Sequence, residues 1–183
     1  MSLTQRTHEL IIEHFSSNAI DKQLAVDATC GNGHDTEFLA KHFAYVTSFD
    51  IQVGAIKATQ DRLNHANLEN VTLINDGHQN LNQHITSKLD CIMFNLGYLP
   101  NADKSITTSK TTTLEALGIA LKLLKETGLI SILCYPGHLQ GAHETQAIQN
   151  WLNKLGHQWQ VEEVLANHPS PKAPILYLLT FIH

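Results

Sequence analysis

Seven apolar runs with strand-like composition punctuate this chain, and helix-like amphipathic stretches separate the first five of them. The runs are "QLAVDAT", "AYVTSFD", "NVTLIND", "KLDCIMFNLG", "LISILCYPG", "HQWQVEEVLAN" and "APILYLLTFIH". Successive parallel strands need a long crossover, usually a helix, and antiparallel neighbours do not. The alternation therefore predicts an α/β fold, with a parallel sheet covered by helices on both faces. The last two runs follow each other without a helix, which predicts an antiparallel pair at one edge. The expected architecture is a mostly parallel seven-stranded sheet with its last strand antiparallel. No repeat, low-complexity segment or linker breaks the 183 residues, so one domain over 1–183 is expected.

Residues 3–16 read as a helix with Leu3, Leu10, Ile11, His14 and Phe15 near one face, so residues 1–18 are expected to pack as a helix on the domain. Further helices are predicted over "GHDTEFLAKHF", "QVGAIKATQDRLNHA" and a short stretch near 78–85. Two more are "TTLEALGIALKLLKETG", closed by Gly128, and "GAHETQAIQNWLNKLG", closed by Gly156, because glycine favours helix C-termini. Residues 99–110 are polar and loop-like, and 167–174 read as a loop over the end of the sheet.

Composition narrows the function classes. Hydrophobic residues make up 43% and charged residues 16%, an ordinary globular balance. No apolar stretch reaches the roughly 18 to 20 residues that span a bilayer. The first residues alternate charge with apolar side chains, unlike a signal peptide. No membrane partner is expected, and the location is expected to be cytoplasmic. Cys30, Cys91 and Cys134 are odd in number and form no CxxC, which fits reduced thiols. Cys30 reads as a small turn residue, with a reactive thiol as the alternative. Twelve histidines lack HExxH, and His138 and His143 sit off the i, i+4 spacing, so no metal site is expected. A net charge of −5 argues against general nucleic-acid binding but allows a local basic patch, from Lys104, Lys110, Lys122, Lys125 and Lys172.

In an open α/β sheet, ligands bind beyond the carboxyl ends of the strands. Polar and glycine residues concentrate there. Asp27 and the turn Thr29-Cys30-Gly31-Asn32-Gly33 follow the first run, and Asp50 ends the second. Asp76, Gly77 and His78 follow the third, "NLGYLPN" (Asn95 to Asn101) the fourth, and "YPGH" (Tyr135 to His138) the fifth. Gly31 and Gly33 let a backbone approach a ligand. Asp50 is spaced to hold a ribose diol, and Asp76 could accept from an adenine amine; for both the alternative is capping. Asp27 either holds the turn's amides or touches ligand, and Asn32, His34 and Asp35 read as caps of the next helix, with ligand contact as the alternative. The Asn95 amide can accept from an amine, and Tyr98 offers a stacking face or a packed turn. His138 reads as a base, a phosphate contact or a turn residue. Asn167, His168, Pro169 and Lys172 form a site wall or a rigid loop.

In order and spacing, "VDATCGNGHDT", "FDIQ", "NDGHQ", "MFNLGYLP", "YPGH" and "PILYLL" resemble the class I S-adenosylmethionine-dependent methyltransferases. More narrowly they resemble the small bacterial "putative rRNA methylase" family, which includes tRNA methyltransferases that finish the wobble uridine. The resemblance runs roughly from Leu24 to Leu179. It implies a Rossmann-like class I methyltransferase fold, S-adenosylmethionine as cofactor and S-adenosylhomocysteine as product. It implies methylation of the side-chain amine of 5-aminomethyl-uridine, or its 2-thio form, in a tRNA anticodon stem-loop. The cofactor would be held by Asp27, Gly31, Asn32, Gly33, Asp50, Ile51, Asp76, Gly77, His78 and Asn95. Asn95, Tyr98 and His138 would serve catalysis, and Tyr98, Lys104, His138 and Lys172 the substrate. The motif Asn-Leu-Gly-Tyr departs from the Asn-Pro-Pro-Tyr of many amino-group methyltransferases. A methyltransferase for rRNA or a small molecule is the alternative, then a non-catalytic nucleotide-binding module. A nicotinamide reductase fits least, because the third glycine of that turn is missing. A homodimer is expected from base rate alone.

Overall fold

The computed structural model describes residues 2–17, 20–97 and 109–182. In chain order the elements are α1 (Leu3–Ser17), β1 (Leu24–Asp27), α2 (His34–His42), β2 (Tyr45–Phe49), α3 (Val53–Ala66) and β3 (Val71–Ile74). A 3-10 turn (His78–Asn80) leads into α4 (Leu81–His84), then β4 (Leu89–Asn95), α5 (Lys110–Leu123), β5 (Leu124–Cys134), α6 (Leu139–Leu152), β6 (Trp159–Leu165) and β7 (Ile175–Phe181). The seven strands form one sheet in the order β3-β2-β1-β4-β5-β7-β6. The first five are parallel. β7 inserts antiparallel between β5 and β6, as the missing crossover helix requires.

Period-two alternation along the strands splits the core into two layers. Val26, Ile92, Phe94, Ile130 and Ile132 face one side, with Leu117 and Ala120 of α5 and Ile148 of α6. Ala25, Cys91, Met93, Leu129 and Leu133 face the other, with Leu39 of α2, Leu63 of α3 and Ile11 and Phe15 of α1. Central strands buried on both faces explain the unbroken apolar runs in the sequence. The buried stripe of α1 runs through Thr7, Ile11 and Phe15, and the helix packs against β5 and β7.

Two helix ends differ from expectation. α5 stops at Leu123, and Gly128 lies inside β5 instead of capping a helix. Leu124 pairs with Leu89 and Leu129 with Cys91, so extra residues bulge out between them. The cause is Asp90, whose buried carboxylate takes the Lys125 ammonium at 2.7 Å and draws the chain into the sheet. A Cβ on Gly128 would lie 2.8 Å from the Asp90 carbonyl oxygen, so the glycine serves close strand approach. α6 ends at Leu152, because the Lys154 and Leu155 amides bond three residues back and unwind the helix before Gly156.

Candidate functional site

Five helical crossovers leave their loops at the carboxyl edge of β1 to β5, and these loops enclose a cavity of about 730 Å³. That volume suits a nucleoside-sized ligand. The glycine turn is its base. Gly31 and Gly33 both take positive φ, 51° and 78°. The Gly31 amide donates to Oδ2 of Asp50 at 3.0 Å, and the Gln52 amide to Oδ1 at 2.9 Å. α3 clamps the turn from behind. Thr59 Oγ1 donates to the Gly31 carbonyl at 3.1 Å, and Arg62 Nε donates to the Asn32 carbonyl at 2.7 Å. Arg62 also pairs with Glu37 of α2 at 2.9 Å, so one guanidinium ties both helices to the loop.

Gly31, Asn32, Asp50, Ile51, Asp76 and Gly77 all line the cavity, as do His78, Asn95, His138 and Lys172. Two expected cofactor residues stand elsewhere. Asp27 is fully buried beneath the turn, where it accepts from the Thr29 amide and the Thr36 hydroxyl at 3.1 and 2.6 Å. Gly33 faces α3, and a Cβ there would meet Thr59 at 2.9 Å. Tyr98 and Lys104 lie outside the described residues.

The polar groups on the wall differ in what they can still bind. Burial raises the Asp50 carboxyl, yet each of its oxygens keeps a second lone-pair site. Asp76 is engaged more fully, with the Gly77 amide, the Asn80 amide and His84 at 2.7, 2.8 and 2.8 Å, and the His84 and Asn80 bonds lower its pKa. His78 Nδ1 faces the Ala28 carbonyl at 3.3 Å and so carries the proton. Its Nε2 is buried without a partner among the described residues, and burial holds the ring down to about 4, so it is a neutral acceptor beside the cavity that His78 lines. His138 caps α6, with Nδ1 accepting the Gly141 amide at 3.1 Å, so that nitrogen is committed to structure. Burial pushes the Cys30 thiol far up, which makes it a packing residue.

Asn95 ends β4 with its amide N–H bonded to Thr29 Oγ1 at 2.8 Å, which fastens it to the glycine turn. Its side-chain Nδ2 donates to Asp35 Oδ2 at 3.0 Å. The local context of Asp35 suggests a helix cap, with ligand contact as the alternative; the structure turns its carboxylate sideways, to Asn95 and to His8 of α1 at 2.6 Å. The Tyr135 hydroxyl interacts with Thr4 and Asn95, and Tyr135 lines the cavity too. Neither His8 nor Thr4 carried a local sequence signal, because they reach the site only through packing of the first helix.

A family model described as "Putative rRNA methylase" matches residues 46–180. The chain belongs to that family. This methylase-family chain is 38% identical over 138 residues to the chloroplastic tRNA (mnm(5)s(2)U34)-methyltransferase of Arabidopsis thaliana. The match covers 68% of the chain and 50% of that protein, so the chain spans about half the length of this curated relative. The crystal structure of a "putative rRNA-methylase" from Clostridium thermocellum superposes with TM-score 0.91 at 36% identity, covering 100% of this chain and 98% of that one. A Streptococcus mutans methyltransferase crystallised with S-adenosylhomocysteine gives TM-score 0.86 at 33% identity, over 98% and 97%.

The family member is a class I S-adenosylmethionine-dependent methyltransferase. Its cavity fits that cofactor chemically: a carboxylate with free lone pairs at Asp50, an orphaned acceptor at His78, and the exposed apolar Ile51 in the same wall. Among the described residues, no helix is long and apolar enough to cross a membrane, and no group of His, Cys, Asp or Glu could hold a metal ion.

Proposed function

We propose that this methyltransferase N-methylates the side-chain amine of 5-aminomethyl-uridine, or its 2-thio form, at the wobble position of tRNA. The product is the 5-methylaminomethyl nucleoside. The observation that carries this reading is Asn95. With Nδ2 donating to Asp35, Asn95 has Oδ1 as its acceptor, and the two lone pairs of that oxygen can take an amine at the cavity wall even with the Tyr135 hydroxyl beside it. The curated relative named for this tRNA reaction supports it.

The cofactor supplies an electrophilic methyl group on a sulfonium sulfur. The protein's task is to place a neutral amine in line with it, and positioning of that kind carries much of the rate. Asn95 directs the amine's lone pair by holding its hydrogens. Asp50 and His78 hold the nucleoside end of the cofactor. Lys172 sits on the wall of the cavity, where it can meet a backbone phosphate of an anticodon stem-loop. Such local contacts let a chain of net charge −5 bind RNA.

The test is methyl transfer to tRNA from cells lacking the final wobble modification, followed by nucleoside mass analysis. Conversion of 5-aminomethyl-uridine species to the methylamino form is the expected result. Tight S-adenosylmethionine binding without that conversion would redirect the search to rRNA and small amines.

A further inference from the structure

The aminomethyl group of the proposed substrate is an ammonium in free solution at neutral pH, as lysine is. It has no lone pair to give until a proton leaves. The wall of the cavity holds several candidate acceptors, and most are spent. Asp76 is held by three donors. His138 Nδ1 is bonded to a backbone amide. Asp50 and His78 keep free acceptor sites but follow β2 and β3, which lie two and three strands away from β4 and Asn95 in the sheet.

Asp35 differs. It is 5% exposed, lines the cavity and stands beside Asn95. Its Oδ1 meets His8 Nε2 at 2.6 Å and its Oδ2 meets Asn95 Nδ2 at 3.0 Å. A carboxylate has about four lone-pair sites, so each oxygen keeps one free. The His8 ring is itself fixed, stacked on Phe38 with centroids 3.8 Å apart and planes 2° from parallel. The charged and titratable groups around the carboxylate are His8 from α1, Asp27 from β1 and Tyr135 just after β5; His42 of α2 faces His8 in turn. Burial raises the Tyr135 hydroxyl, which therefore stays neutral. The Asp35 carboxylate is the acidic group on the wall beside Asn95, where it can draw a cation.

We propose that Asp35 is the catalytic proton acceptor for the substrate ammonium, and that His8 is the positioning residue that holds it. This rests on the amine-methylating reading above. An ammonium N–H bond breaks, an O–H bond forms on Asp35, and the electron pair stays on nitrogen. That pair would bond the cofactor's methyl group as the methyl–sulfur bond breaks and its electrons return to sulfur, giving S-adenosylhomocysteine, while Asn95 Oδ1 holds the remaining hydrogens. Asp35 returns its proton to water when product leaves.

The experiment measures kcat against pH, and S-adenosylhomocysteine affinity, for wild type, Asp35→Asn, His8→Ala and His8→Gln. At neutral pH, Asp35→Asn should lose on the order of 10²-fold in kcat, the usual scale of acid–base catalysis, with cofactor-product affinity unchanged. Its deficit should shrink about tenfold per pH unit towards the amine's own pKa near 10, because bulk solvent then removes the proton. His8→Ala should show a smaller loss that His8→Gln restores, since a glutamine amide can still donate to Asp35. Wild-type kcat in Asp35→Asn at every pH overturns the proposal. So does a parallel loss of S-adenosylhomocysteine affinity, which would assign Asp35 to the cofactor's own ammonium. A wild-type protein that binds S-adenosylhomocysteine but methylates no aminomethyl tRNA removes the substrate reading, and this proposal with it.

Discussion

The amide of Gly31 donates to Oδ2 of Asp50 at 3.0 Å, so the glycine turn after β1 and the acid after β2 act as one unit. Asp50→Asn replaces one acceptor oxygen with a donor and removes the charge. Cofactor affinity should fall about 10- to 100-fold, the equivalent of roughly 1.5–3 kcal/mol for a charged hydrogen bond. Calorimetric titration checks this, and an unchanged affinity would show that Asp50 only fastens the turn.

Two glycines near the turn should respond in opposite directions to alanine. Gly33 has φ 78°, and its Cβ would meet the Thr59 backbone at 2.9 Å. Gly33→Ala should cost about 1–3 kcal/mol through strain and overpacking. Gly54 lies within α3 with nothing within 4 Å of a Cβ. Gly54→Ala should gain about 0.5–1 kcal/mol. Urea unfolding of the pair measures both signs.

Asp90 is the anchor of the sheet's other end. Its carboxylate, 2% exposed, accepts the Leu24 amide at 2.8 Å, the Gln23 amide at 3.2 Å and Lys125 Nζ at 2.7 Å. Asp90→Ala strips three donors of their acceptor and should cost about 3–5 kcal/mol. Asp90→Asn keeps one acceptor and should cost less. A denaturation series that places both at wild-type stability would show that water replaces the carboxylate.

Stability should carry two opposed pH dependences. Burial, then the charge of Asp35, pushes the Asp27 carboxyl up to about 7. The fold keeps a proton that the unfolded chain has released near pH ~4, so this group's contribution falls as pH rises from about 4 to 7. His78 works the other way. Its ring is held down to about 4, while the unfolded chain takes a proton near pH ~6.5, so stability is lost as pH falls from about 6.5 to 4. Asp27→Asn should leave the His78 trend alone, and its melting temperature should climb with pH more steeply than that of wild type across this window. Parallel curves for the two proteins would mean that Asp27 is ionised in the fold.

The sequence by itself determined the sheet and where to look on it. Apolar runs, five helical crossovers and a final pair without one leave little choice of topology. Gly31, Asp50, Asp76 and Asn95 were legible because each sits where a strand meets its loop, and local chain direction brings those positions to one edge. Only the tertiary structure decided what each side chain does there. Asp27 and Gly33 stand in the same turn as Gly31, yet burial turns one under the site and Thr59 claims the space beside the other. Asp35 has a cap's local context, and the packing of α1 gives it His8 from 27 residues away. Gly128 carries a helix-ending signal, and the buried charge of Asp90 overrides it by pulling Lys125 into the sheet. Period and turn chemistry are properties of neighbours in the chain. Partners of buried charges are set by desolvation, which acts on neighbours in space.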